Sequence, residues 1–500
     1  MIGVSWPAAA IGSWRWRSPM FARVQVAPST LLAILVAVAS YHLATRISAL
    51  GLWPDGTAEL AGRAALSAAG KADPTALLAS YPPLPYILLM FGELLGRPLG
   101  LDPVALIDAL LFGGLAARYG RSLTNRGTPT KTVLVLILLL ALHPLSIAAV
   151  AQGPQTLLLV WGCWVLGRGM MDTRTITGIN DTIALTLALP MLAMTGAQGA
   201  VIAVGTIPFL ILGVPRDLAE RHYVGTYVVL LFPLLFSVLC LFALSAILLH
   251  TPLAVVIWDA YHVVHTDASQ SWVIAALAPV VTAGVAVIAV RVSMTPAVPH
   301  ALRESAVATL AGLMLASILV GASGIVGNPG EILIPTLGFV AAVSTRWPAA
   351  KMRQAGGWIL AGALVAALVL LGTGAELDSP IARIMAGRSG AMSADRALGR
   401  YLAGRQDVMI DALAHPAVVA ARGSADGLLT SRAPAFGVSV IAHRVFAPAV
   451  AVREHRPGES DDAISRSLPH LFEQGLPGYR LAFDQGGWRV WARTERSELP

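Results

Sequence analysis

The sequence predicts a mainly α-helical protein that crosses a membrane many times and ends in a small α/β domain outside the membrane. Of its 500 residues, 56% are hydrophobic and only 13% are charged, and the mean hydropathy is +0.70. A soluble domain does not contain that much apolar sequence. The apolar residues form runs of about 20, which is the length that one helix needs to cross a bilayer. After residue 374 these runs stop and charged residues become frequent.

The apolar runs between charged clusters predict a polytopic protein with about eleven transmembrane helices. The segment 81–96 is also apolar, but counting it as a span would invert every later loop against the distribution of positive charge. We therefore expect it to form a juxtamembrane helix. The predicted spans are residues 30–49, 103–119, 131–149, 155–171, 176–195, 199–214, 224–249, 271–290, 304–322, 330–345 and 357–374.

Positive charge sets the predicted orientation. Lys and Arg residues are concentrated in the N-terminus and in alternate loops, whereas the loops around 150–154, 196–198 and 323–329 contain none. Because positively charged loops stay in the cytoplasm, we expect a cytoplasmic N-terminus, an inner (plasma) membrane location and a periplasmic C-terminal domain. The net charge of +7 follows from these short clusters, so we do not expect nucleic-acid binding.

Two domains follow from this layout. Residues 1–374 are predicted to form the transmembrane domain, with a first outside loop and juxtamembrane helices at 50–102. Residues 375–500 are predicted to form an extracytoplasmic α/β domain, called the tail domain below, with a helical stretch at 393–402 and a β-hairpin at 479–493. Further short strands are expected at 408–410, 418–421, 438–442 and 450–452.

The tail domain is expected to be separable from the chemistry. No nucleophile–base pair or metal-ligand set stands out within it, so deleting residues 380–500 is expected to leave the spans folded. Trp488 and Trp491 should point to opposite faces of the last strand, because side chains alternate along a strand. We expect one of them in the core of the domain and the other on the rim of the membrane domain.

Asp55 is the strongest candidate for a catalytic residue. It follows the first span directly, and an acid there is costly unless it lies at the membrane interface or lines a polar cavity. A positioned carboxylate is a suitable general base. Glu59 and Arg63 follow at intervals of four residues and share a helical face if a helix begins here. The alternative is structural: Asp55 caps that helix, and Glu59 only pairs with Arg63.

Five further residues are candidates for substrate contacts. Tyr81 begins a Pro-rich segment, although tyrosines and prolines at a membrane edge are often structural. His143 precedes a proline at the predicted outer end of a span, and Gln155 lies in the second outside loop. Asp259 and His262 belong to a polar and aromatic outside loop, whose spacing would also suit a metal if the geometry were known.

The order of these features resembles the GT-C superfamily of integral-membrane glycosyltransferases, which includes protein O-mannosyltransferases and lipid A aminoarabinose transferases. The resemblance covers about residues 25–175: a basic N-terminus, one span, an outside loop that opens with the acid Asp55, juxtamembrane helices and a Pro82-Pro83-Leu84 segment. A span ending in basic residues follows, then His143-Pro144 and Gln152 to Leu158. The tail also looks like the short outside domain that ends many bacterial members.

The resemblance implies an inverting enzyme that moves a sugar from a polyprenyl-phosphate donor to a glycan, lipid or protein acceptor at the outer face. Asp55 would be the general base, and arginines, lysines or a metal would stabilise the leaving phosphate. Membrane lipids would be further partners. The tail domain is expected to shape or cover the acceptor entrance above the Asp55 loop, so that its deletion weakens acceptor use more than donor binding. The remaining candidates, as substrate contacts, would be Glu59, Arg63, Tyr81, His143, Gln155, Asp259 and His262.

Two positions depart from the family pattern. Gly56 stands where the family often has a second acid, and Gln155 stands where many members have an acid after proline. An amide is a poorer metal ligand than a carboxylate, so a divalent metal is not favoured and the cofactor stays unknown.

The departures also leave open a loss of activity. The alternatives are a non-catalytic membrane subunit of polysaccharide or cell-envelope assembly, or a transporter of lipid-linked saccharides.

Overall fold

The computed structural model describes residues 28–72, 81–175, 179–214, 220, 222–249, 312, 315–316, 318–320, 329–346, 393–454 and 462–494. These residues form a helical body followed by the tail domain with its sheet. The predicted spans at 271–290 and 357–374 lie outside the described residues, as do Asp259 and His262.

The helical body begins with the predicted first span and its outside loop. Within the described part of the segment 50–102, the span is followed by two shorter helices before the next long one, as predicted. The helices are α1 (Pro28–Leu50), α2 (Asp55–Ala68), α3 (Pro83–Gly96), α4 (Pro103–Thr124), α5 (Thr130–Leu142), α6 (Pro144–Gln152), α7 (Pro154–Thr175), α8 (Ile179–Ala193), α9 (Ala197–Thr206), α10 (Tyr223–Leu244) and α11 (Pro329–Arg346).

Three helices are long and apolar enough to cross a membrane, namely α1, α4 and α10 with its continuation to Leu248. A fourth span results if α5 and α6, which meet at a bend of 53°, count as one. The mainly helical, membrane-associated fold is therefore confirmed for the described residues, whereas the number of about eleven spans stays a prediction. Helix α3 has 14 residues and is about 21 Å long, which suits a juxtamembrane position.

Close helix packing in the body depends on small residues. At Gly113 of α4, an added Cβ would overlap Ala37 of α1, and at Gly120 it would lie 2.7 Å from Ile137 of α5. Small residues are common at helix interfaces in membranes because they let the backbones approach. The apolar side chains of α10 instead face outward, for example Phe232 at 60% exposure, as expected for a surface that contacts lipid.

A group of arginines lies at the end of the helical body away from Tyr81. Tyr81, before α3, donates a hydrogen bond to the carbonyl of Ala193 at 2.8 Å. Arg118 and Arg126 lie close enough to Arg168 for their charges to repel. These arginines belong to the loops that the sequence predicts in the cytoplasm.

Reporter fusions can test that orientation. Fusions after Arg121, Arg216 and Arg353 are expected to report the cytoplasm, and a fusion after Gly374 is expected to report the outside, because the positive loops stay inside. A fusion after Gly374 that is active only in the cytoplasm would contradict the orientation and remove Asp55 from the outer face.

The tail domain contains a five-stranded sheet of order β2-β1-β3-β5-β4. Strands β1, β2 and β3 pair in parallel, and β3, β5 and β4 pair antiparallel. The elements in chain order are α12 (Ala394–Tyr401), β1 (Val408–Met409), α13 (Pro416–Arg422), β2 (Leu428–Leu429), α14 (Pro434–Ile441), β3 (Ala449–Arg453), α15 (Ala463–Ser467), α16 (Leu471–Gln474), β4 (Tyr479–Gln485) and β5 (Trp488–Arg493).

Two segments that were predicted as strands are helices. Residues 418–421 lie in α13 and residues 438–442 fall in or directly after α14. Both helices begin with a proline, Pro416 and Pro434, and proline favours the first helical position. Parallel strands also need a crossover connection, which these helices supply. The helix at 393–402, the strand at 450–452 and the C-terminal hairpin agree with the prediction.

Both faces of the tail sheet are covered. Trp488 is fully buried on one face and donates a hydrogen bond from Nε1 to Asp395 at 2.8 Å. Trp491 lies on the other face, packed with Leu471 and Tyr479. The two tryptophans do face opposite ways, but Trp491 packs inside the tail domain rather than on the rim of the membrane domain. The reason is that apolar side chains cover this second face as well.

The tail domain and helix α2 share one hydrophobic core. Ala65 and Leu66 of α2 pack with Leu398, Val418 and other residues of the tail. At Gly62 an added Cβ would overlap the carbonyl of Pro416, so the two backbones are in direct contact. The tail domain therefore covers one face of the helix that begins with Asp55, and the effect of deleting residues 380–500 on the spans stays a prediction.

Candidate functional site

Asp55 is the first residue of α2, and its side chain is exposed. Pro54 occupies the N-cap position, and no side chain makes a cap hydrogen bond there. Asp55 is therefore not the helix cap that the structural alternative requires. An acid in the first helical turn still interacts favourably with the helix dipole. The carboxylate is positioned where a substrate approaching from solvent can reach it.

The turn that leads to Asp55 is held by an arginine of the tail domain. Arg396 of α12 donates hydrogen bonds to the carbonyls of Gly51 and Trp53. Burial lowers the pKa of the Arg396 guanidinium, and the charge of Asp55 opposes that shift. Arg396 thus connects the end of the first span, the start of α2 and the tail domain at one point.

The first and second outside loops meet beside this turn. The hydroxyl of Thr57 donates to the carbonyl of Gln152 at 2.7 Å. Gly153 has a φ of +93°, and a Cβ there would lie 2.8 Å from the methyl group of Thr57, so only glycine fits. Gln155 follows at the start of α7, and its amide nitrogen lies against Gly196. Segments almost a hundred residues apart are brought together here.

Glu59 and Arg63 form the predicted pair on α2. Their side chains are 3.8 Å apart and partly exposed. Burial raises the pKa of Glu59, Arg63 lowers it, and the acids Asp55 and Asp395 add to the increase. The carboxyl of Glu59 therefore lies near both Asp55 and the tail domain.

A polar cluster of the tail domain lies next to this pair. His415 Nε2 is 3.5 Å from Asp462, and His415 Nδ1 is 3.4 Å from Arg453. Burial raises the pKa of Asp462, but hydrogen bonds from His415 and Ser465 outweigh it and leave that pKa lowered. The ring of His415 also packs edge-on against Trp488. These contacts satisfy the polar groups within the tail domain and give the cluster a structural role.

Two predicted contact residues are buried. Tyr81 donates to Ala193, and burial raises its pKa. His143 lies at the bend between α5 and α6, where Nδ1 accepts a hydrogen bond from the backbone N–H of Leu145 at 3.1 Å. Its Nε2 has no hydrogen-bond partner among the described residues. The structure therefore places His143 inside the helical body rather than at its outer surface, and its predicted acceptor contact stays untested.

A cavity of 410 Å³ lies between the helical body and the tail domain. Asp55 does not line it, but Arg396 does, so the cavity and the predicted base are neighbours. Among the described residues no group of three or more His, Cys, Asp or Glu side chains is arranged to hold a metal. The polar lining consists of Ser48, Trp53, Thr57, Glu93, Asp102, Arg396 and Arg400.

Comparisons of the chain with protein-family models, with curated proteins and with solved structures find no match. Its function is therefore argued from the site alone, because a fold by itself does not define an activity.

Sequence reasoning placed the tail domain above the Asp55 loop but did not identify the residues that make the contact. Arg396 and Arg400 donate hydrogen bonds to the carbonyls of Gly51 and Ala49, which lie about 350 residues earlier in the sequence. No local pattern marks such a contact. Glu93 was also missed, although a charged residue in the apolar segment 81–96 is a signal that could have found it.

Proposed function

We propose that the protein is a membrane glycosyltransferase that moves a sugar from a polyprenyl-phosphate donor to an acceptor hydroxyl at the outer face, with Asp55 as the general base. The observation that carries the proposal is the position of Asp55. It is exposed at the start of the helix that follows the first span, in a turn held by Arg396, beside the second outside loop.

The reaction needs a proton acceptor and a stabilised leaving group. The acceptor oxygen attacks the anomeric carbon, the bond from that carbon to the phosphate oxygen breaks, and the phosphate leaves with the electron pair. The proton passes to the carboxylate of Asp55, and the anomeric configuration inverts. In this proposal Arg63 is the predicted cation for the departing phosphate, and Glu59 and Gln155 orient the acceptor.

The donor is proposed to approach through the lipid. Large apolar side chains in the first half of α1, such as Leu31 and Leu35, are exposed and suit a lipid-facing surface, and in this proposal the polyprenyl chain lies in the bilayer beside the helical body. In this proposal the protein lies in the plasma membrane with the tail domain outside. The proposal includes no metal, because Gly56 and Gln155 stand where carboxylate ligands would be needed.

Incubation of the purified protein with polyprenyl-phosphate sugars and glycan, lipid or protein acceptors tests the proposal. We expect release of polyprenyl phosphate that depends on the acceptor, with inversion at the anomeric carbon of the product. If no combination of donor and acceptor gives release, while the protein is folded in lipid, the second candidate is favoured. That candidate is a non-catalytic assembly subunit, and the missing acid at Gly56 is the observation that supports it.

The substitution Gly56→Asp tests whether the missing acid matters. A Cβ at Gly56 meets no other atom within 4 Å, and an acid in the first turn suits the helix dipole. We expect the variant to unfold within about 4 °C of the wild type and to keep transfer, because Asp55 is unchanged. A gain of divalent-metal stimulation would show that the site can still accept the family's second acid. If the variant does not fold, the space around Gly56 is not open as described.

A further inference from the structure

The cavity between the two domains has the size of a small-ligand site. Its volume is 410 Å³, and pockets for small molecules typically measure about 300–1,000 Å³. It is enclosed by the end of α1, one face of α2, the start of α4, and helices α12 and α13 of the tail domain. A single sugar ring with a few water molecules fits such a volume.

The floor of the cavity consists of very small side chains. Three alanines of α2 and four residues of α13 or its flank leave the space open, and they are Ala58, Ala61, Ala65, Ala417, Ala420, Ala421 and Gly423. Trp53 adds an aromatic side chain, which offers apolar contact area and a polar N–H. The floor is therefore apolar and suits the carbon face of a ring rather than a charged group.

One wall holds the carboxyl group of Glu93. Glu93 is 9% exposed, and its Oε2 lies 3.4 Å from Nε of Arg97 with no surface open to solvent. Burial raises the pKa of Glu93, and Arg97 opposes the shift. Glu93 lines the cavity, so its other carboxyl oxygen, Oε1, is the acceptor that an O–H donor inside the cavity can reach.

The tail side of the cavity supplies donors. Arg400 gives one hydrogen bond to the carbonyl of Ala49 at 3.3 Å, and a guanidinium carries five N–H donors. Arg396 lies beside it. The cavity does not select for a free phosphate, because the charges of Glu93 and Asp102 offset those of the two arginines in the same lining. A purely apolar chain is disfavoured by the same charged groups.

We propose that this cavity binds one pyranose ring. Its hydroxyl groups donate to Glu93 and accept from Arg400, and its carbon face lies on the alanine floor near Trp53. The ring is either the sugar carried by the lipid donor or the terminal sugar of the acceptor. The inference that the cavity binds a sugar is argued from the cavity alone, whereas the role of that sugar in the transfer reaction rests on the proposed function.

Saturation-transfer NMR on the purified full-length protein tests the proposal. The probes are the methyl pyranosides of glucose, mannose, galactose and N-acetylglucosamine, in lipid nanodiscs, because sugar-based detergents would compete. We expect saturable binding of at least one probe. Ala420→Phe fills the cavity from a partly exposed position and is expected to abolish binding. Glu93→Gln is expected to weaken it about tenfold or more, since a hydrogen bond to a charged group is lost.

Asp426→Asn is the matched control. Asp426 lies 3.8 Å from Arg97 on the side away from Glu93, and its side chain is 72% exposed, so its substitution changes a partner of the same arginine but leaves the cavity lining intact. We expect binding as in the wild type. The proposal is overturned if no probe binds the wild type at millimolar concentration, or if binding persists in Ala420→Phe.

Competition identifies the source of the sugar. If a farnesyl-phosphate sugar displaces the bound methyl glycoside, the cavity holds the donor sugar; if only the glycan acceptor displaces it, the cavity holds the acceptor sugar. Asp55→Asn is expected to bind the probe normally. Binding without transfer by the wild type would therefore overturn only the proposed function, and transfer without binding of any probe would overturn only this inference.

Discussion

The Asp55→Asn protein is expected to fold and insert like the wild type but to transfer sugar about 10²–10⁴-fold more slowly, because the attacking hydroxyl loses its proton acceptor. The effect on stability should be small. Pro54 occupies the cap position, so the variant loses only the interaction of a first-turn acid with the helix dipole, about 0.3–1 kcal/mol. Initial rates of transfer and thermal unfolding of the same preparation separate the two effects.

Asp484→Asn provides the matched control. It removes another exposed acid, one that pairs with Arg489 in the hairpin of the tail domain, and we expect transfer at the wild-type rate. Near-normal turnover of Asp55→Asn would mean that Asp55 only stabilises the start of α2 and that the general base is another residue.

Gly62→Ala is expected to detach the tail domain from α2. The added methyl group would overlap the carbonyl of Pro416, and overpacking against a backbone typically costs about 1–3 kcal/mol. Amide hydrogen exchange should then increase at residues 62–68 and 416–422, because the shared core around Leu66 opens. Transfer should fall as well, because Arg396 belongs to the tail domain and forms the hydrogen bonds that hold the turn before Asp55.

The same substitution on the same helix gives the control. At Gly56 a Cβ meets no atom within 4 Å, so Gly56→Ala is expected to stabilise α2 by about 0.5–1 kcal/mol and to leave the docking unchanged. If Gly62→Ala shows exchange and unfolding like Gly56→Ala, the close packing of α2 on the tail domain is wrong.

Local features of the fold were predictable from the sequence. A helix starts at Asp55, as the spacing to Glu59 and Arg63 indicated. The segment 81–96 forms a short helix, as predicted from its apolar composition and from the positive charge of the later loops, which excluded it from the spans. The C-terminal hairpin follows from two alternating runs joined by Gly486 and Gly487. Each of these features depends on residues that are neighbours in the chain.

Features that depend on distant residues were not predictable. The valine-rich runs at 418–421 and 438–442 have strand propensity, but the parallel sheet required crossover helices there, and tertiary context overrides propensity. The contact of Arg396 with Gly51 joins positions 345 residues apart. The cavity likewise exists only where the tail domain meets the helical body, so the role of Glu93 became visible only in the folded chain.

The most direct test of the proposed function compares wild-type and Asp55→Asn protein, reconstituted in the same liposomes with a polyprenyl-phosphate sugar and an acceptor, and measures the polyprenyl phosphate released in a single turnover. We predict release by the wild type in step with sugar transfer, and release about 10²–10⁴-fold more slowly by Asp55→Asn. Equal release by the two proteins, or none by the folded wild type, would contradict a glycosyltransferase that uses Asp55 as its base.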